Sequence, residues 1–147
     1  MNKIIGSTCY AVVIFAALSA SATNGAASKT ELQQLYYRFF QQKDDQKLAT
    51  LVYWEGVGQR ERDGFFRSLR NDLKYRLQNV KFVPLDAGVK LEYTLDGVTY
   101  MPVLPPIGRM VASYEDQDNV RNPSTSYLVG VKDGKYYIDL ASPKRSN

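Results

Sequence analysis

The chain has 147 residues, of which 44% are hydrophobic and 23% are charged, and its formal net charge is +4. These values are typical of a single globular domain and argue against a wholly disordered chain, and so modest a charge gives no reason to expect nucleic acid as a partner. The sequence contains no histidine, and its one cysteine is Cys9. The commonest general base and metal ligand is therefore missing, and we predict no cofactor and no metal site.

The first 22 residues have the pattern of a cleaved signal peptide. A short basic start is followed by the uncharged run Ile4–Leu18 and by Ala20-Ser21-Ala22, which has the small residues that signal peptidase requires. Cleavage is expected before Thr23, with cleavage after Ala26 as the alternative. The apolar run is short and interrupted, so we expect no transmembrane segment in the mature protein. The predicted location is the periplasm of a Gram-negative bacterium, or otherwise the medium outside the cell.

The next half of the chain predicts a flexible tail over residues 23–29 and then three helices. Thr30 is the expected N-cap of the first helix, with Gln33 completing a capping box. A short second helix follows Asp44-Asp45, and a third is expected over Gln59–Leu77 with a basic, solvated outer face. The first helix carries five apolar residues at helical spacing: Leu32, Leu35, Tyr36, Phe39 and Phe40.

After the helices the hydrophobic period falls to two, which indicates strands. Asp96-Gly97 and Asp133-Gly134 are typical hairpin turns. Pro102–Pro106 is interpreted as an edge segment or a bend, because proline cannot donate to a ladder. The single domain is expected over residues 30–141, with a polar tail at 142–147. The predicted strands contain Val80–Phe82, Val89–Tyr93, Val98–Met101, Arg109–Tyr114, Tyr127–Val131 and Tyr136–Leu140.

This order predicts an α+β fold with three N-terminal helices packed on a curved antiparallel sheet of four to six strands. The segments 126–138 and 51–57 resemble the last hairpin and the second-helix region of small exported members of the nuclear transport factor 2-like and ketosteroid-isomerase-like superfamily. The resemblance implies a cone-shaped sheet around the first helix with an open-ended pocket. It implies no activity, since the Asp, His and Tyr groups of the enzymatic members have no recognisable motif here.

Three functions remain open from the sequence. The first is a non-enzymatic binding or accessory role for an apolar or sugar-like ligand. The second is an isomerase or dehydratase with Asp139 or Glu55 as the base and Tyr93 or Tyr114 as the hydrogen-bond donor. The third is a protein-interaction or homodimerisation role through an exposed sheet face. The predicted ligand-binding residues are Tyr36, Phe40, Tyr53, Trp54, Tyr93, Tyr100, Arg109 and Tyr137.

Overall fold

A computed structural model describes residues 24–117 and 119–144. Three helices come first: α1 (Lys29–Gln41), α2 (Asp45–Ala49) and α3 (Gln59–Asp72). The predicted signal peptide lies outside the described residues. The strands are β1 (Leu77–Val83), β2 (Tyr93–Leu95), β3 (Val98–Pro102), β4 (Pro106–Tyr114), β5 (Ser124–Lys132), β6 (Lys135–Asp139) and β7 (Ala141–Pro143).

The strands form two antiparallel sheets, a four-stranded one in the order β1-β4-β5-β6 and a three-stranded one in the order β2-β3-β7. The predicted α+β class with three N-terminal helices is confirmed, but the strands do not make the one sheet that was expected. The chain first changes sheet between β1 and β2, returns after Pro102, where prolines interrupt ladder bonding, and changes again at Leu140 between β6 and β7. The N–H of Val103 donates to the C=O of Leu140 at 3.3 Å and ties the last two crossings together.

Helix α1 begins two residues earlier than the sequence predicts. Its N-cap is Ser28, whose backbone is extended and whose Oγ accepts from the N–H of Glu31 at 3.0 Å. The carboxylate of Glu31 accepts in turn from the N–H of Ala27. Ser28 and Glu31 therefore satisfy free donors on both sides of the helix start, whereas Thr30 lies inside the helix.

Two predicted boundaries are wrong for reasons of tertiary pairing. Helix α3 ends at Asp72 because Leu77, expected to be helical, is buried opposite Tyr114 in the β1–β4 ladder. Strand β2 starts only at Tyr93, although the alternation begins at Val89. Continued toward the start of β2, the β2–β3 register would place Glu92 opposite Met101 and Leu91 opposite Pro102, which has no N–H to donate.

The outer edge of β6 is covered by two segments from the first half of the chain. Ala26 and Tyr136 exchange backbone hydrogen bonds of 2.9 and 2.8 Å, although Ala26 belongs to the segment predicted as a tail. The N–H of Ile138 donates to the C=O of Leu51 at 2.8 Å, and its C=O accepts from Tyr53 at 3.0 Å. These bonds place the chain after α2 beside the end of β6, where the candidate site lies.

Candidate binding cleft

A cleft of about 490 Å³ lies between the loop after α2 and the three-stranded sheet. Its volume is within the range of about 300–1,000 Å³ that is usual for small-molecule sites. Four separate segments meet there: the loop, the end of β3 with the bend after it, the end of β5, and β7. The lining residues are Tyr53, Glu55, Gly56, Met101, Pro102, Val103, Leu104, Lys132, Ser142, Pro143 and Lys144.

Tyr53 forms the loop side of the cleft and is held in three ways. Its backbone N–H is bonded to β6, its ring meets the ring of Tyr137 edge-on at 5.5 Å, and its hydroxyl donates to Glu55 Oε2 at 2.6 Å. Tyr137 is itself tied to the C=O of Asn24 through its hydroxyl at 3.2 Å. The hydrogen bond to Glu55 is the main reason why the pKa of Tyr53 is raised to about 12. Tyr53 is therefore a protonated donor at neutral pH, already engaged with a carboxylate.

The opposite wall is fixed from behind by Asp139. Only 3% of this residue is exposed, and both its carboxylate oxygens accept from the N–H of Leu104, at 3.2 and 3.1 Å. Burial raises the pKa of Asp139 to about 6, against the opposing effect of backbone N–H groups led by that of Leu104. Leu104 lines the cleft and Asp139 does not, so Asp139 positions the wall.

The two walls are also joined directly. Ser142 in β7 is buried, and its Oγ donates to the C=O of Gly56 in the loop at 2.7 Å. This bond connects the three-stranded sheet to the loop that carries Tyr53. Asp139 thus holds the Leu104 wall from behind, and Ser142 ties the two walls together.

The charges in the cleft are unequal. Glu55 accepts the hydroxyl of Tyr53, while Lys132 and Lys144 supply two cations. Lys144 pairs with Glu92 at 3.3 Å, and both side chains of this pair are about half exposed, at 53% and 44%. Within residues 24–117 and 119–144 no carboxylate lies within salt-bridge distance of Lys132. The arrangement suits an anionic group beside the apolar side chains of the bend.

Several predicted binding residues lie in the core. Tyr36 and Phe40 on α1 are 0% and 1% exposed and stack on each other at 5.9 Å. Trp54 stacks on Phe66 at 5.9 Å and donates from Nε1 to the C=O of Ala49 at 2.8 Å. None of these three aromatic residues of the predicted set lines the cleft.

The other predicted residues on the strands lie elsewhere. Tyr93 is half exposed on β2 and stacks on the buried ring of Tyr100 at 5.2 Å. Arg109 on β4 faces Asp86 at 3.7 Å, and its Nε is buried without a hydrogen-bond partner. Of the predicted set, the cleft itself contains Tyr53 and Glu55, while Tyr137 packs against Tyr53 and Asp139 lies behind Leu104 on the opposite wall.

A second polar cluster is buried in the core. The hydroxyl of Tyr36 donates to that of Tyr127 at 3.4 Å, and Thr125 Oγ1 donates to Asp72 Oδ2 at 2.8 Å. The hydroxyl of Tyr114 is buried beside the side chains of Tyr36, Thr125 and Asp72, without an aligned hydrogen bond to any of them. Burial raises the pKa of Tyr114 to about 12 and also raises the pKa of Asp72. None of the five residues lines the cleft.

The sequence did not identify Lys132, Ser142, Lys144 or the bend at 101–104 as site residues. The prolines after β3 were the usable signal, because a chain that leaves one sheet and enters another exposes backbone and side chains at the crossing. No local sequence pattern predicts that Lys132 and residues 142–144 lie at the cleft. Only the folded chain brings them together.

Comparisons of the chain with protein-family models, with curated proteins and with solved structures give no match. The resemblance to the nuclear transport factor 2-like superfamily therefore stays a prediction. In the part of the chain that the structure describes, no group of three or more Cys, Asp or Glu residues is arranged to hold a metal ion. No helix among the described residues has the length and hydropathy needed to cross a membrane.

Proposed function

We propose that this protein is an exported binding protein and that its cleft holds a small ligand with an apolar body and an anionic group. The observation that carries the proposal is the position of Lys132 and Lys144 at a cleft of about 490 Å³ whose wall is the apolar bend at 101–104. Small-molecule sites usually combine apolar side chains with polar groups that fix the orientation of the ligand.

The polar groups of the cleft differ in how freely they can meet a ligand. Tyr53 donates its hydroxyl to Glu55, so this hydroxyl is already engaged, while the Glu55 carboxylate leaves one negative charge against the two lysines. The pair of Lys144 with Glu92 is a surface ion pair, which is worth about 0–1 kcal/mol, and a ligand anion can replace it at little cost. Lys132 provides a second cation, so both lysines favour a carboxylate or phosphate group.

A second candidate is an enzyme in which Asp139 is the base, and its pKa of about 6 is the observation in its favour. A general base must come within about 3 Å of the proton that it removes. Here both carboxylate oxygens face the N–H of Leu104, behind the wall of the cleft. This geometry supports a structural role for Asp139, and we therefore place the binding protein first.

A thermal-shift experiment on the purified chain tests the binding proposal. The probes are octanoate and hexyl phosphate, with octanol and hexanol as matched neutral compounds. A ligand of the folded state at a hundred times its dissociation constant stabilises it by about 2.7 kcal/mol, so a clear rise in the unfolding midpoint is expected for the anions.

Matched variants locate the binding. Lys132→Gln and Lys144→Gln remove cleft charges, while Lys81→Gln removes an exposed charge on β1, outside the cleft. We expect the first two to weaken anion binding about fivefold or more, on the basis of roughly 1 kcal/mol for each charge contact, and the third to leave it unchanged. The proposal fails if no probe shifts the midpoint, or if all three variants bind alike.

Export is tested separately. The chain is expressed with its own N-terminus in a Gram-negative host, and the protein in the periplasmic fraction is sequenced from its N-terminus. A mature protein that begins at Thr23 supports export with cleavage at the predicted site. Retention of Met1 in a purely cytoplasmic product contradicts the export proposal and leaves the binding proposal to its own test.

A further inference from the structure

The edge of β2 is less protected than the edges of the four-stranded sheet. Native proteins usually cover or disrupt such edges, because unpaired N–H and C=O groups can pair with another strand. The β6 edge is covered by backbone bonds from Ala26 and from the chain around Val52. On β1 the ladder is irregular near its start, and Gln33 Nε2 bonds to the C=O of Val80 at 3.1 Å. Among the described residues, β2 pairs with β3 alone.

The side chains of this hairpin also form an exposed apolar face. Tyr93 and Leu95 on β2 and Val98 on β3 are 52%, 50% and 40% exposed. The pairing of Leu95 with Val98 and of Tyr93 with Tyr100 puts these side chains on one side of the sheet. By the same alternation, an extension of β2 toward its start adds Leu91 to this face.

The hairpin geometry determines which backbone groups of β2 point outward. Asp96 and Gly97 have φ of 52° and 77°, and they form a two-residue turn between Leu95 and Val98. In such a hairpin the residues that flank the turn exchange both hydrogen bonds, and the pattern then alternates along the ladder. The N–H and C=O of Thr94 therefore point away from β3, and those of Glu92 follow the same direction.

We propose that β2 pairs antiparallel with β2 of a second copy of this chain, about a two-fold axis at Tyr93. In this register the outward N–H and C=O of Glu92 bond to those of Thr94 of the second copy. By symmetry, the outward groups of Thr94 bond to those of Glu92 of the second copy. Tyr93 then lies opposite its own counterpart, and Leu91 lies opposite Leu95. The result is one continuous six-stranded sheet, in which the order β7-β3-β2 is followed by its two-fold copy, each half as observed in the single chain.

Charge selects this register over its nearest alternative. With the axis at Tyr93, Lys90 of each copy lies beside the turn residue Asp96 of the other, and the opposite charges attract. With the axis at Thr94, Glu92 lies beside that aspartate instead, and neighbouring like charges are destabilising. The register at Tyr93 thus satisfies the outward backbone groups and avoids the clash of carboxylates.

The paired sheet also continues a tyrosine stack that the single chain begins. The rings of Tyr93 and Tyr100 are 5.2 Å apart and within 9° of parallel. Across the two-fold axis the stack becomes a row of two tyrosines from each copy on the apolar face. Leu95 lies opposite Leu91 of the second copy beside this row, so pairing covers the outer flanks of Tyr93 and Leu95, which are exposed in the single chain.

Cysteine cross-linking tests both the dimer and its register. The full chain carries Cys9→Ser, so that an introduced cysteine is its only thiol. Under mild oxidation Tyr93→Cys is expected to form a disulfide-linked dimer, because directly opposite residues on a non-hydrogen-bonded pair lie close together. Thr94→Cys is the matched control, since in this register its counterpart is two positions away along the ladder. If the Thr94→Cys variant cross-links and the Tyr93→Cys variant does not, the proposed register is wrong.

Sedimentation of the uncross-linked chain gives the second measurement. The wild type is expected to change from monomer to dimer as its concentration rises, and Thr94→Pro and Leu95→Lys are expected to remain monomeric. Lys90→Glu is expected to weaken the dimer at least fivefold, whereas Lys81→Glu on β1 leaves it unchanged. A wild type that is monomeric at every concentration, or a dimer that survives Thr94→Pro, overturns the proposal without affecting the ligand test of the cleft.

Discussion

Replacing Asp139 by asparagine should make the protein more stable at neutral pH. The folded state raises the pKa of Asp139 to about 6, from an ordinary value of 3.8. Between these two values the native state binds more protons than the unfolded state, so the stability contributed by this group falls as the pH rises from about 4 to about 6. The asparagine side chain carries no charge, and it keeps one oxygen to accept from the N–H of Leu104.

The size of the effect follows from the shift in pKa. About two pKa units correspond to roughly 3 kcal/mol at full ionisation. Solvent at the adjacent cleft screens part of this, so we expect the wild type to lose about 1–2 kcal/mol through this group between pH 4 and pH 7.5. The unfolding free energy of the asparagine variant should not show this decrease.

The measurement is urea unfolding of both proteins at several pH values from 4 to 7.5. The informative quantity is the difference in unfolding free energy between variant and wild type, because other carboxyl groups contribute equally to both. Asp133→Asn removes the same charge from the exposed turn of the same hairpin and is the matched surface control. A difference for Asp139→Asn that varies with pH no more than that of the control would refute the burial of a carboxylate behind Leu104.

Three further substitutions test the packing. Tyr114→Phe should change the unfolding free energy by less than about 1 kcal/mol, because the buried hydroxyl lies beside Asp72 and Thr125 without an aligned hydrogen bond to either; a larger loss in urea unfolding would contradict this. Ser28→Ala should lower helical stability by about 1 kcal/mol through loss of the cap on Glu31, which thermal unfolding would reveal and an unchanged midpoint would disprove. Gly130→Ala should lower the unfolding free energy by about 1–3 kcal/mol and weaken probe binding, since a new Cβ would lie 2.5 Å from the Cβ of Leu104. Normal binding and stability would show that the wall at Leu104 is not tightly packed.

The sequence predicted the features that depend on near neighbours. Both Asp-Gly turns form, and each aspartate has the positive φ that such turns need, 52° at Asp96 and 50° at Asp133. The core face of α1 is also as expected, with Leu32, Tyr36 and Phe40 buried at helical spacing. Local backbone preference and side-chain periodicity are sufficient for these features.

Features that depend on distant pairing were not predictable in the same way. The end of α3 is decided by the burial of Leu77 opposite Tyr114, which helical spacing does not reveal. The division into two sheets depends on where Leu140 meets Val103. The cleft combines four segments, and Lys132 and Ser142 come together with the loop only through the crossing of the chain between sheets.

The backbone bonds that join the segment around Ala26 to the edge of β6 affect the order in which the chain can fold. The hydroxyl of Tyr137 donates to the C=O of Asn24, a residue 113 positions earlier in the chain. The first described residues therefore have no place to dock until β6 is present. Closing so long a loop is a late and slow event compared with forming the local hairpins. A polypeptide that stops before β6 would leave the segment around Ala26 without its partner strand, so this contact is expected to be among the last to form.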